Sequence, residues 1–352
     1  MSEQPLSAVV EKPRAQAAIG SLRDEGVYDD SRSVYECGDE TVAIPVTALP
    51  QQTRVLDLIE EVGEPRLQTL TDHLRDRGWS EAELERAPGS WAVIGSVILV
   101  ETSETPRPSE VGEALLAMHG SADTVLARQG ISGDHREPEV EVLAGEGDTE
   151  TVHREHGTEY ALDLSKVMFS PGNKAERARM GETVSDSERV LDMFAGIGYF
   201  TLPMARAGAH VTAVERNPAS FQYLVENVVR NGVQDRVETY RADNRDVIAG
   251  GQAAATPSSQ FAFDRIVMGY YDAHEYLDNA LGVLAPGGWV HMHEATPEGL
   301  VPDRPLGRVR EAAETQELEI ETHSVQKVKG YSEGVAHVVV DARLQPSGPH
   351  TS

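Results

Sequence analysis

The sequence predicts an α/β chain whose carboxyl-terminal half folds as a doubly wound parallel sheet. Three observations predict it. From residue 188 onward, short apolar runs at 189–194, 210–215, 237–242, 263–268 and 289–295 alternate with helical stretches, the pattern of parallel strands joined by crossover helices. Two further runs, THSVQKV and AHVVVDARL, follow with no helix between them and add an antiparallel pair at one edge. The first parallel strand runs directly into AGIG, where the chain must turn tightly before the next helix.

At 352 residues the chain exceeds a usual single core, so two or three domains are expected. Their expected limits are 1–84 for a small N-terminal domain, 85–160 for an α+β middle domain and 161–345 for the sheet domain. In the first, AIGSLRDEGVYDD reads as a helix stopped by Gly26, TVAIPV as a short strand ended by proline, and VLDLIEEV as a helix. In the second, SWAVIGSVILVE reads as a buried strand pair, EVGEALLAMHG as a helix, and TVLAR and EVEVLAG as strands. The segment TVHREHGTEYALDLSKVMFSPGNKAERARMGE begins as a hairpin-like pair and ends as a charged helix. GGQAAATPSSQ, at 250–260, is small and polar enough to be a surface loop. No repeat with a period of about 20 to 50 residues is visible.

Composition narrows the function. Acidic residues number 58 against 31 basic ones, a formal net charge of −27 that ordinarily opposes a polyanionic partner. The acids are spread evenly and lysine occurs only at Lys12, Lys166, Lys174, Lys327 and Lys329, which suits a solvent adaptation better than a binding site. A cytoplasm of very high salt is the expectation, because the Debye length there falls to about 3 Å at 1 M and self-repulsion is screened. The single cysteine, Cys37, excludes a disulfide framework and any multi-cysteine metal site. The longest apolar run, WAVIGSVILV, is far too short to span a bilayer, so a cytoplasmic chain is expected.

The candidate site lies at the carboxyl ends of the strands, where ligands bind in such sheets. Gly196 and Gly198 let the backbone approach a ligand, and the helix that follows offers unpaired N–H groups. Asp192 stands at the first strand's end, and Glu215, at the tip of the second, can accept hydrogen bonds from both hydroxyls of a ribose. Asn217-Pro218 then caps the next helix. At the third tip, Asp243 and Asn244 can read the exocyclic amine of adenine, and Phe194 can pack against an adenosine or a methionine chain. S-adenosylmethionine is favoured over a dinucleotide because AGIG lacks the third glycine of the pyrophosphate fingerprint and the sheet ends in an antiparallel pair. The fold class is therefore a class I S-adenosylmethionine-dependent methyltransferase-type Rossmann sheet, preceded by small α+β domains.

VMFSPGNKAERARMG, DMFAGIGYFTLPMA, VERNPASFQYLVENVVRNGVQDRVETYRADNRDV and DRIVMGYYDAHEYLDNAL with GGWVHMHEATPE resemble the archaeal branch of the wybutosine-synthesizing protein 2 family, sister to the tRNA guanosine-37 N1-methyltransferases. The resemblance covers about 85–343, and LRDEGVYDDSRSV with VAIPV extends it less specifically to the leading domain. It implies transfer of the 3-amino-3-carboxypropyl group of S-adenosylmethionine to C7 of 4-demethylwyosine at position 37 of tRNA(Phe), with methylthioadenosine released. By similarity Ser170, Arg177, Phe194, Glu215, Asp243 and Asn244 hold the cofactor beside Gly196. Arg177 would pair with the methionine carboxylate; its plain alternative is a helix-surface ion pair with Glu176 or Asp186. The sister enzymes carry Asn-Leu-Pro or Asn-Pro-Pro after strand four and an arginine after FSP, where this chain reads MGYYDAHEYL and Gly172. A tRNA methyltransferase acting at guanosine 37 or on a wyosine precursor is the alternative reading, and an RNA-binding module without turnover a third.

The implied partner is the tRNA(Phe) anticodon loop, with no membrane and no metal; the sequence leaves the oligomeric state open, with a monomer favoured. His291 and His293 alternate on one strand face, an arrangement that serves packing or substrate contact more often than a metal. His274 stands near the strand-four tip, within reach of the base or the cofactor, and Tyr270 and Tyr271 either stack on a base or pack in the core. Lys327, Lys329, Arg304, Arg308 and Arg310 are the candidates for a local basic face.

Overall fold

The structure is a computed structural model, described for residues 6–133, 137–249 and 263–347. The segment 250–260, expected as a surface loop, lies outside the described residues. Where the sequence suggests three domains, contacts group the chain into two compact units: Met1–Ala87 with Glu104–Gly120, and Pro88–Ser103 with Ser121–Ser352.

The first unit is built on β1 (Leu6–Glu11), β2 (Tyr35–Gly38), β3 (Thr41–Val46) and β4 (Asp57–Ile59), antiparallel in the order β2-β3-β1-β4. Helix α1 (Ala15–Asp24) covers it with Ala18 and Leu22 packed on Ala8, Val10 and Ile44, and Gly26 at φ +71° turns the chain back into the sheet. VLDLIEEV is not the expected helix. Its centre is β4, which pairs with Ser7–Val9 of β1, so ladder hydrogen bonds to a buried strand outweigh the local helical preference of leucine and glutamate. Helices α2 (Leu70–Asp76), α3 (Glu81–Leu84) and α4 (Pro108–Met118) complete the unit. Thr69 and Asp72 close a capping box at the start of α2, and Trp79 donates its indole N–H to Glu110 of α4 at 2.8 Å.

In the second unit, β5 (Trp91–Ile94), β6 (Val97–Val100), β7 (Thr124–Ser132) and β8 (Glu137–Gly145) form one sheet, and β9 (Glu150–Glu155) and β10 (Thr158–Asp163) a hairpin. Helix α5 (Lys174–Thr183) leads into the large sheet. Its strands are β11 (Arg189–Asp192), β12 (His210–Val214), β13 (Val237–Tyr240), β14 (Phe263–Met268), β15 (Leu284–Pro297), β16 (Leu318–Ser332) and β17 (Val335–Pro346), in the order β13-β12-β11-β14-β15-β17-β16. The first five run parallel and β17 lies antiparallel between β15 and β16, as the sequence pattern predicts. Helices α6 (Thr201–Arg206), α7 (Pro218–Arg230), α8 (Asn244–Ala249), α9 (Leu277–Leu281) and α10 (Asp303–Thr315) make the connections.

Successive residues of β11 face opposite ways: Val190 joins one apolar cluster and Leu191 another, both essentially inaccessible, so helices cover the sheet on both sides. The first cluster continues through Leu99, Leu126 and Tyr160 into the neighbouring sheet and hairpin. Asn227 of α7 ties that hairpin down, accepting from Ala161 N at 2.7 Å and donating to Ala161 O at 3.0 Å. The strands β11, β12 and β13 end one or two residues before the apolar runs do. The leftover residues, among them Phe194, Glu215 and Ala242, leave the ladder at its carboxyl edge and line a cavity there.

Candidate cofactor and active site

The turn after β11 needs its glycines. Gly196 has φ +57° and Gly198 φ +103°; a Cβ on Gly196 would lie 2.3 Å from the Tyr199 ring, and one on Gly198 2.8 Å from Leu202. Glu215 locks this turn to the next strand tip: its Oε2 accepts from Gly196 N at 2.8 Å and its Oε1 from Asn217 N at 2.7 Å. Burial raises the Glu215 pKa against those backbone donors, and each oxygen keeps a lone pair for a ligand. Asn217 caps α7 by accepting from Ala219 N and Ser220 N, with Pro218 at the first helical position. Asp192 is fully buried and does not line the cavity; it accepts from the Thr201 hydroxyl at 2.7 Å, and burial pushes its pKa up to about 6.

The cavity at these strand tips holds 220 Å³, and all seven sequence-predicted residues, Ser170, Arg177, Phe194, Gly196, Glu215, Asp243 and Asn244, line it. Phe194 stacks on Tyr270 at 5.2 Å and meets Tyr276 edge-on at 5.1 Å, giving a flat aromatic wall. Asn244 donates to Met193 O at 3.2 Å, while its Oδ1 is buried with no hydrogen-bond partner. Asp243 is committed to Arg245 at 2.9 and 2.7 Å, and that pairing lowers its pKa. The orphaned amide oxygen is thus the better acceptor for an exocyclic amine.

Arg177 is buried and makes neither of the surface pairs considered from sequence. Glu155, from β9, takes it through two parallel bonds of 2.7 and 2.9 Å; its Nη1 donates to Ser170 O at 3.0 Å, and the guanidinium lies 4.6 Å from the Phe169 ring centre. Burial works to raise the Glu155 pKa, but hydrogen bonds from His153 and Arg177 hold it at about 2. The Ser170 hydroxyl accepts from Lys329 Nζ, and a Cβ on Gly172 would meet the Lys329 stem at 3.0 Å.

The histidines divide. His291 is built into a buried polar network: its Nδ1 bonds Asp341 at 2.5 Å, its Nε2 faces Arg265, and Asp341 continues to Arg179 at 2.9 Å. His293 lines the cavity, its Nδ1 2.9 Å from Nε2 of His337, which sequence reasoning passed over. Burial drives the pKa of both down to about 3, so the pair is neutral. Among the described residues no three His, Cys, Asp or Glu side chains gather to hold a metal. Tyr270 and Tyr271 line the cavity, whereas His274 does not. The expected basic face is largely neutralised by carboxylates: Arg304 and Arg308 both grip the buried Glu294 at 2.8 Å, and Lys327 makes an exposed pair with Glu298 at 2.6 Å.

A nucleoside suits these walls. They offer an aromatic slot, a buried acceptor without a partner, a carboxylate with lone pairs to spare and a backbone turn that admits no side chain.

Residues 151–321 match the family model described as the TRM5/TYW2 methyltransferase domain, and residues 70–149 the TYW2 N-terminal domain. A protein of Pyrococcus horikoshii named tRNA(Phe) (4-demethylwyosine(37)-C(7)) aminocarboxypropyltransferase is 39% identical over 261 residues, 73% of this chain and 90% of that one. The crystal structure of P. horikoshii TYW2 in complex with MeSAdo superposes with a TM-score of 0.66 at 36% identity, covering 79% of this chain and 98% of that one. The crystal structure of Trm5b from Pyrococcus abyssi gives a TM-score of 0.72 at 28% identity, covering 97% and 99%. With the P. horikoshii aminocarboxypropyltransferase matched over 90% of its length at 39% identity, and with both family models matched, the chain belongs to the TYW2 family.

Proposed function

We propose that the protein transfers the 3-amino-3-carboxypropyl group of S-adenosylmethionine to C7 of 4-demethylwyosine at position 37 of tRNA(Phe), releasing methylthioadenosine. The observation that carries the reading is the 39% identity, across 73% of the chain, to an aminocarboxypropyltransferase of that specificity. When bound, the donor supplies a sulfonium whose γ-carbon is open to attack by a ring carbon.

This chain's own residues supply the pose. Glu215 takes the ribose hydroxyls with the lone pairs its backbone donors leave free, and Asn244 Oδ1 takes the adenine amine. Phe194 and Tyr270 flank the base. Ser170 and Arg177 stand at the methionine end, where the two guanidinium N–H groups left over from Glu155 and Ser170 O suit a carboxylate. Transfer requires the γ-carbon to face the acceptor at about 3 to 3.5 Å, in line with sulfur. No metal enters this reading.

The partner is the anticodon loop of tRNA(Phe), and residues 1–84 are the part proposed to touch the tRNA. The acidity points to a cytoplasm of molar salt, where phosphate attraction is weak and recognition rests on shape and on a base turned out of its stack. The test is tRNA bearing 4-demethylwyosine, incubated with donor labelled either in the carboxyl or in the methyl carbon. Carboxyl label on tRNA is the expected result; methyl label would make the chain a tRNA methyltransferase, and no label an RNA-binding module.

A further inference from the structure

Substitution at C7 leaves a proton to be removed, and one wall of the cavity is equipped to take it. His293 of β15 and His337 of β17 are about 1% and 2% exposed and both line the cavity. One proton lies in the 2.9 Å contact between His293 Nδ1 and His337 Nε2. The outer nitrogens, His293 Nε2 and His337 Nδ1, are buried without hydrogen-bond partners.

Glu176 decides which way the shared proton points. Its carboxylate, held by Arg179 at 2.5 and 2.8 Å, lies 3.8 Å from His293 Nε2. A lone pair facing a carboxylate is repelled and an N–H is attracted, so His293 carries its proton on Nε2 and leaves Nδ1 as the acceptor. His337 must then donate from Nε2, which leaves an unprotonated lone pair on Nδ1, weakly basic toward water but ample for a ring cation. The carboxylates and several other polar groups of the cavity are already engaged or are weak acceptors. Glu215 holds two backbone N–H groups, Asp243 is tied to Arg245, the Tyr199 hydroxyl donates to Met168 O, and the free oxygens of Asn173 and Asn244 are amides of negligible basicity.

We propose that His337 Nδ1 accepts the C7 proton and that His293, oriented by Glu176, carries the charge away from the cavity. This rests on the reading of function above. In the step, the C7 to γ-carbon bond forms as the γ-carbon to sulfur bond breaks, and the bonding pair stays on sulfur as the thioether of methylthioadenosine. The ring cation so formed gives its C7 proton to His337 Nδ1, and His337 passes its Nε2 proton to His293 Nδ1. The positive charge comes to rest beside the Glu176 carboxylate, and aromaticity is restored without any other reactant.

His337→Gln keeps a donor where Nε2 stood and removes the base, and His337→Ala opens space for added imidazole. Single-turnover transfer at saturating donor is expected to fall about 100-fold in both. A C7-deuterated acceptor, without effect on the wild-type rate, should then show a primary isotope effect, imidazole should restore the alanine variant, and donor affinity should stay within about threefold. Unchanged rates, or slow transfer with neither isotope effect nor rescue, overturn the proposal. Long-range ¹H–¹⁵N correlation spectra of the wild-type chain give a test independent of the variants: an Nε2–H tautomer at His337 is expected, and an Nδ1–H tautomer overturns it. If the wild-type chain moves no carboxyl label to tRNA, the functional reading fails first and the proton acceptor with it.

Discussion

Glu155 is buried and Glu215 half-buried, both in the second unit, and they do opposite things. Glu215 spends its charge on two backbone N–H groups and keeps capacity for a ligand, so its removal should be felt in binding. Glu215→Ala is expected to weaken donor affinity roughly 100-fold, two charge-assisted hydrogen bonds at about 1.5 kcal/mol each, as read by calorimetry. Glu155 spends its charge on Arg177, both side chains 3% exposed, so Glu155→Gln should destabilise the fold by about 3 kcal/mol by stranding a buried guanidinium. The pairing holds the Glu155 pKa at about 2 against an ordinary 4.5; its stabilisation is therefore complete above that ordinary value and is lost as pH falls toward 2. Denaturant midpoints measured between those limits should fall less steeply in the glutamine variant. Glu215, Asp243 and Asn244 were legible in the sequence because strand tips are fixed by the period of the apolar runs. The partnership of Arg177 with Glu155 was not, because 22 residues and a hairpin separate them. His337 left one faint signal, a histidine inside the otherwise apolar run AHVVV.

At the scale of elements, the regular sheet was readable and the irregular leading segment less so. Strand, helix and strand repeat from residue 188 because the central strands β11, β12 and β14 are buried on both faces and the helices on one, which leaves a strong periodic signal. β4 left none: three residues long and at an edge, it exists only through its pairing with β1. The junction of β11 and α6 is where element and site meet. Gly196→Ala puts a Cβ within 2.3 Å of the Tyr199 ring at a φ of +57°, so a loss of about 2 kcal/mol is expected in unfolding experiments. Donor affinity should fall with it, because the same displacement moves the N–H that Glu215 holds.

The whole molecule carries a formal charge of −27, and several of its arginines, Arg177, Arg265 and Arg308 among them, are taken up by the buried or nearly buried carboxylates Glu155, Glu188 and Glu294. Self-repulsion therefore acts on the surface, where mobile ions screen it within about 3 Å at 1 M salt and about 10 Å at 0.1 M. The melting temperature should drop by several degrees when potassium chloride is lowered from molar to 0.1 M, and calorimetric scans across that range check it. Composition made this expectation possible; the division of the chain did not show there, because the first unit is not one continuous stretch of sequence. It closes only with α4, whose Glu110 meets Trp79 and whose flanking Arg107 meets Glu83 at 3.1 Å. During synthesis, then, the amino-terminal body stays unfinished until Met118 has left the ribosome, by which time the residues of its neighbour's β5 and β6 have already been made. Cutting the chain at residue 87 would not liberate two bodies; it would orphan a helix from one of them.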